Sequence, residues 1–303
     1  MQKKALLLEH FFKKGQPMTL STTINFFILS QDGGIQTNLN HIRRYHDLGY
    51  THLDAILIGA DSPTSPIMSD GEEWRSFAHT VREEADKLGI SFIQAHLPYY
   101  NNFCTEPILP RREEAITRVL EVCGILGVKW AVNHPGTVQK TTDYAAKSKK
   151  ACIEYFSPQI ETAKKHGVGF AIENLFDSGG NRSYCGTVEE LIDLVDSFKD
   201  DSVGICWDFG HGNLMYPDQT EPLKQIGSRL KMTHVHDNNG QSDQHLPPFS
   251  GNIDWPAVVR ALREIGYTGA FSFEVVNRTF KHSEALGMSE WAHVKKIGEF
   301  LLG

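Results

Sequence analysis

Along the chain, short apolar runs alternate with longer stretches in which apolar residues recur at helical spacing. The short runs are TTINFFIL (22–29), THLDAIL (51–57), SFIQAHL (91–97), KWAVNHP (129–135), GFAIENL (169–175), VGICWDF (203–209), KMTHVHD (231–237) and GAFSFEVV (269–276). Each is bounded by glycine, polar or turn residues, so each predicts a strand. The stretches between them predict helices: NLNHIRRYHDLG, SDGEEWRSFAHTVREEADKLG, PRREEAITRVLEVCGILG, TDYAAKSKKACIEYFSPQIETAKKHG, TVEELIDLVDSF, EPLKQIGSRL, DWPAVVRALREIG and SEWAHVKKIGEFLL. Gly49, Gly89 and Gly167 stand where helices must stop before the next strand. Thr187 and Glu190 have the spacing of a capping box.

Eight strand–helix units in one compositional zone predict a single α/β domain, a (β/α)8 TIM barrel. The domain is expected over residues 21–303, after an N-terminal extension of residues 1–20. That extension reads as a short amphipathic helix, and residues 1–17 carry no assignable role. A doubly wound open sheet is the rival, but SQDGGIQTN after the first strand lacks the GxGxxG phosphate fingerprint.

Composition narrows the classes of function. The 303 residues are 40% hydrophobic, enough for a large core. A net charge of -7 gives no electrostatic footprint for nucleic acid. The 5 cysteines form no CxxC pair and predict reduced thiols in a cytoplasmic protein. The apolar run ALLL near the N-terminus is broken by Glu9 and His10, which argues against a signal peptide. No run is long enough to span a membrane, so no membrane partner is expected. A homo-oligomer is compatible with the sequence.

The chemistry is concentrated at strand ends. The third strand ends in His96, the fourth in His134, the fifth in Glu173 and Asn174. The sixth ends in Asp208, with His211 three residues on. The seventh carries His234 and His236, the eighth Glu274, and Asp243 and His245 follow the seventh. Any one of these histidines is more often a satisfied polar residue than a ligand. Their recurrence matters, because a barrel gathers strand ends around one axis. So many acids and imidazoles near one point are costly unless a cation compensates, and a divalent metal does this. Alternation puts Ala171 with Glu173, Cys206 with Asp208, His234 with His236 and Ser272 with Glu274 on shared faces. Three carboxylates and an imidazole suit Mn2+ first, with Mg2+, Co2+ or Zn2+ as alternatives. Cys206 is alone beside this set and reads as packing. Tyr99, Tyr100, Trp207 and Phe249 are candidate pocket walls, whereas Arg182 reads as a solvated loop residue.

The motifs AIENL, CWDFGHGN, HVHDNN…DQHLPPFSGNIDW and FSFEV resemble the xylose isomerase-like barrel superfamily, in its sugar (phosphate) isomerase/epimerase branch. The resemblance runs from the first strand to the last helix. By resemblance to the ketose 3-epimerases, one divalent metal would be held by Glu173, Asp208, His236 and Glu274, with His236 taken as the second histidine of the HxH pair. Glu173 and Glu274 would be acid and base, with His211 on the substrate. His96, His134, Asp243, His245 and Tyr99 complete the expected substrate surround. The implied activity is isomerisation or epimerisation of a keto-sugar or related polyol by enediolate proton transfer. With a β-hydroxyl leaving group, the same site implies a dehydratase or lyase on a keto-sugar or cyclitol. Those epimerases carry a Glu and an Arg shortly after the HxH pair, where this chain has DNNGQSDQH. The pattern also overlays endonuclease IV, a three-zinc enzyme of the same superfamily that cleaves abasic sites, but that reading needs a basic groove and this chain is acidic.

Overall fold

A computed structural model describes residues 17–25, 34–139, 141–276 and 281–303. The strands are β1 (Thr19–Asn25), β2 (His52–Ile56), β3 (Ser91–His96), β4 (Trp130–Asn133), β5 (Gly169–Glu173), β6 (Val203–Asp208), β7 (Leu230–Val235) and β8 (Ala270–Phe273). They pair in chain order, all parallel, and β1 closes on β8. The outer layer is α1 (Gly34–Asp47), α2 (Glu73–Lys87), α3 (Pro110–Leu126), α4 (Tyr144–Lys165), α5 (Val188–Ser197), α6 (Phe209–Met215), α7 (Thr220–Ile226), α8 (Trp255–Glu264) and α9 (Glu284–Leu302). The expected (β/α)8 barrel is therefore present. The expected N-terminal helix, and positions 26–29 of the first strand, lie outside the described residues.

The predicted strands run past the observed ends at the polar residues that follow each ladder. Residues 134–135, 174–175, 236–237 and 274–276 leave the sheet for the loops. There they find other partners. Asn174, for example, pairs its amide with the backbone N–H and C=O of Asp208 (2.7 and 3.0 Å). The capping box at α5 forms by half. Thr187 Oγ1 accepts from the Glu190 N–H at 3.4 Å, but the Glu190 carboxylate turns to the Cys185 N–H and the Tyr144 hydroxyl. The short helix α6 has no counterpart among the predicted helices. Its glycines disguise it, and Asp208 caps it by accepting from the His211 N–H.

Apolar packing divides in two. The main core fills the space between strands and helices, with Leu53, Phe170, Ile172, Trp207, Val235 and Phe273 on the outer strand faces. Inside the barrel is a small cluster, Val132, Ala171, Cys206 and Met232. The rest of the buried interior toward the mouth is polar, with Asp54, Gln94, His96, Glu173, Asp208, His234 and Ser272 all withdrawn from solvent.

The loop after β7 is tied down by one buried carboxylate. Asp237 accepts from the N–H groups of Asn238 (2.9 Å) and Ile253 (3.3 Å), and from the Trp255 indole (3.0 Å). Its backbone also bridges to Leu246 in both directions. Replacing Asp237 by Ala strands these buried donors, so the variant should lose about 2–4 kcal/mol of stability. Urea denaturation measures this; an unchanged midpoint would show that the loop is held by other means.

Candidate active site and metal centre

Glu173 is the hub. It closes β5 and is 1% exposed. Its Oε1 lies 3.0 Å from His234 Nδ1, and its Oε2 lies 3.1 Å from His134 Nε2 and 3.4 Å from His96 Nε2. Those two imidazole nitrogens are themselves 3.1 Å apart. His96 gives its Nδ1–H to the Leu97 carbonyl at 2.9 Å, which leaves Nε2 free to act as a donor atom. Tyr99 stacks on His134 with ring centroids 4.1 Å apart.

Next along the barrel, His234 Nδ1 lies 3.4 Å from Glu274 Oε2 and 4.0 Å from Asp208 Oδ2. Asp208 also takes a hydrogen bond from His236 Nε2 at 2.9 Å. His211 donates Nδ1–H to the Asn174 carbonyl at 2.9 Å and turns Nε2 toward Asp243, 3.6 Å away. Asp243 also meets His245 Nε2 at 3.1 Å, while His245 Nδ1–H donates to the Glu274 carbonyl at 2.8 Å. His236 stacks on His245 at 3.9 Å. Gly210 makes room for His236: a Cβ there would lie 1.8 Å from its Cε1.

The donor atoms fall into overlapping sets. Glu173, Asp208, His234 and Glu274 offer ligand atoms that all lie within 4.8 Å of one another. His96, His134 and Glu173 form a second set, and His236, His245 and Glu274 another. Buried polar atoms inside the cluster lack hydrogen-bond partners, among them Glu173 Oε2, His236 Nδ1 and Asp243 Oδ1. Native interiors rarely leave such atoms unpaired. Of these residues, Glu173 belongs to the set of three carboxylates and one imidazole, whose donors are of the borderline-hard kind that suits a divalent cation.

The electrostatics point the same way. Burial would raise the Glu173 carboxyl, but the His234 and His134 imidazoles outweigh it and hold Glu173 well below the usual carboxylate range. Burial lowers His211, yet Asp208, Asp243 and Glu173 carry it up to about 10. Burial likewise opposes Asp243 at His245, which reaches about 9. At His134 burial wins over Glu173 and the pKa falls. Carboxylates and protonated imidazoles thus neutralise each other. Among the described residues, the ion pairs of Glu173, Asp208 and Asp54 are all with histidines.

The structure brings Glu173, Asp208, Glu274, His96, His134, His211, His236, Asp243, His245 and Tyr99 together. Within that group the two histidines of the HxH pair occupy different places. The imidazole that faces all three carboxylates is His234, whereas His236 reaches Asp208 from the outer side, toward His245. The cause is where β7 stops: Val235 is its last residue, so His234 is still in the ladder opposite Asp208 and His236 is already turning away. Of the proposed walls, Trp207 faces the helices and donates its indole N–H to Gln219 at 2.8 Å. Tyr100 lies under Arg112, and Phe249 packs on Phe300. Arg182 is tied to Tyr144, Asp177 and Glu190 rather than free in solvent. Sequence reasoning overlooked Phe176, whose ring lies against His211, and Asp54. The signal for Asp54 was an acid inside a predicted strand.

Residues 42–296 match the family described as xylose isomerase-like TIM barrel, and the chain belongs to it. Among relatives, the uncharacterized protein y4fM of Sinorhizobium fredii is 38% identical over 276 residues, 84% of this chain and 85% of that protein. Inosose isomerase of Bacillus velezensis is 28% identical over 164 residues, 52% of this chain and only 57% of that enzyme. Among solved structures, D-psicose 3-epimerase crystallised in the presence of D-fructose superposes with a TM-score of 0.72 at 16% identity, over 94% of this chain and all of that one. That likeness is one of fold.

Two substitutions separate the histidines. His234→Asn should abolish tight binding of one equivalent of Mn2+ in calorimetric titration, while His236→Asn should retain it. The reverse result would restore His236 as the ligand. Because protons compete for these ligands, the wild-type affinity should fall as the pH is lowered from about 8 to about 6.

Proposed function

We propose that this enzyme is a divalent-metal-dependent isomerase or epimerase of a keto-sugar or keto-polyol. One observation carries the reading. Two glutamates from non-adjacent strands, Glu173 and Glu274, approach the same His234 nitrogen, at 3.0 and 3.4 Å. A proton-transfer reaction beside a carbonyl needs such a pair, one carboxylate to take the proton and another group to return it.

Glu173, Asp208, His234 and Glu274 would hold the metal, which when bound polarises the substrate carbonyl and stabilises the negative charge that develops. Glu274 is the more open of the two acids, with 20% of its side chain exposed against 1% for Glu173. It is therefore the group that a sugar entering from the mouth meets first. Loss of the α-proton leaves an enediolate. Return of a proton to the opposite face of the same carbon gives the epimer, and return to the neighbouring carbon gives the isomer. His211, with its Nε2 toward the mouth-side Asp243, is the second candidate for that return. Tyr99 and Phe176 supply flat apolar surface beside the polar donors.

The partial likeness to inosose isomerase and the fold of D-psicose 3-epimerase make inososes and ketohexoses the first substrates to try. Expulsion of a β-hydroxyl from the same enediolate would make the enzyme a dehydratase. Cys123, Cys152, Cys185 and Cys206 are buried free thiols, which supports a reducing, cytoplasmic compartment. The second donor set, His96, His134 and Glu173, is the observation that favours the three-zinc reading on abasic DNA.

Incubation of keto-sugars and inososes with the Mn2+-loaded enzyme in deuterated water should give α-deuterium incorporation and an isomeric product. Glu173→Gln and Glu274→Gln should each lower kcat by about 10²–10⁴. Full activity in either variant removes it from the acid/base pair. Cleavage of an abasic-site oligonucleotide by a three-zinc form, with no sugar turnover, would overturn the proposal.

A further inference from the structure

We propose that Asp54 is a positioning residue for the site, holding His234 by its far nitrogen so that Nδ1 faces the three carboxylates. The inference rests on the metal-site reading above. Asp54 sits in the middle of β2, across the barrel from β7, and is fully buried. Its Oδ2 accepts from Gln94 Nε2 at 2.6 Å and from Ser272 Oγ at 3.1 Å, so strands β3 and β8 fix its direction. The same oxygen lies 3.5 Å from His234 Nε2. Among the described residues, that imidazole is the one charged partner shown for it.

The two groups are each incomplete. His234 Nε2 and Asp54 Oδ1 are buried polar atoms without a hydrogen-bond partner. The Asp54 atom that faces His234 Nε2 is Oδ2, which stands 3.5 Å away, a gap that a few tenths of an ångström would close. The two nitrogens of His234 therefore divide their duties. Nδ1 lies among Glu173, Glu274 and Asp208, while Nε2 lies at Asp54.

The plain alternative makes Asp54 only an acceptor for Gln94 and Ser272. Those donors are neutral, and an asparagine oxygen would serve them. A carboxylate is far more expensive to bury than an amide, unless a charge-bearing donor compensates it. The His234 imidazole is that donor. An N–H given to Asp54 keeps Nε2 protonated and leaves the lone pair on Nδ1. It also raises the basicity of the ring, as carboxylates behind metal-bound histidines do. Neither lysine nor arginine could do this and still present a ligand.

Mn2+ titration of Asp54→Asn against the wild type tests the idea, with circular dichroism of the metal-free proteins to confirm that both are folded. The Kd should rise by about 10–100-fold in the variant. An unchanged Kd in a folded variant overturns the role of Asp54. A wild type that binds no stoichiometric Mn2+ overturns instead the metal-site reading beneath it. If Asp54→Asn does not fold, the tautomer can be read in the wild type. In the 15N spectrum of Zn2+-loaded, histidine-labelled protein, His234 (assigned by its loss in His234→Asn) should carry its proton on Nε2. A proton on Nδ1 would exclude the arrangement.

Discussion

The structure depends on how one barrel bears buried negative charge. Glu173, Asp208 and Asp54 are almost wholly withdrawn from water, and their ion pairs among the described residues are with imidazoles. A buried carboxylate without compensation is costly enough to be protonated or to unfold its surroundings. Here histidines from β3, β4, β6, β7 and their loops supply the compensation. Imidazoles differ from lysine and arginine in one respect that matters: they release their proton near neutrality and then become ligands. The same side chains can therefore answer the buried carboxylates as cations or stand as donor atoms for a divalent ion.

The barrel makes this arrangement affordable. Parallel strands end together, so residues far apart in the chain share one small volume. The apolar half of the interior, Val132, Ala171, Cys206 and Met232, closes the space beneath the site. Above it the loops are held by their own polar networks, such as Asp237 with Trp255 and Asn174 with the Asp208 backbone. Rigid loops hold His211, His236 and His245 within reach of the strand-borne acids. Near Glu274 the site opens, which is where a substrate can enter.

Much of this was legible in the chain. Strand and helix periodicity predicted the barrel, and acids and histidines at successive strand ends predicted the site. The nominated residues Glu173, Asp208, Glu274, His96, His134, His211, Asp243 and His245 do converge. What stayed hidden was of two kinds. Elements with mixed local signals were missed, as with α6, where glycines weaken the helical pattern and a cap from Asp208 restores it. Relations across the barrel were missed as well. The motif HVH presents two equivalent-looking histidines, and strand alternation places both on one face. Only the point where β7 leaves the ladder distinguishes them.

The sequence by itself determined the architecture and the kinds of atoms at the mouth, because periodicity and residue chemistry are local properties. Only the tertiary structure decided which nitrogen meets which oxygen. His234 lies 180 residues from Asp54 in the numbering, yet Nε2 of one sits 3.5 Å from Oδ2 of the other. Such a pairing arises from barrel closure and strand register, and no local pattern encodes it.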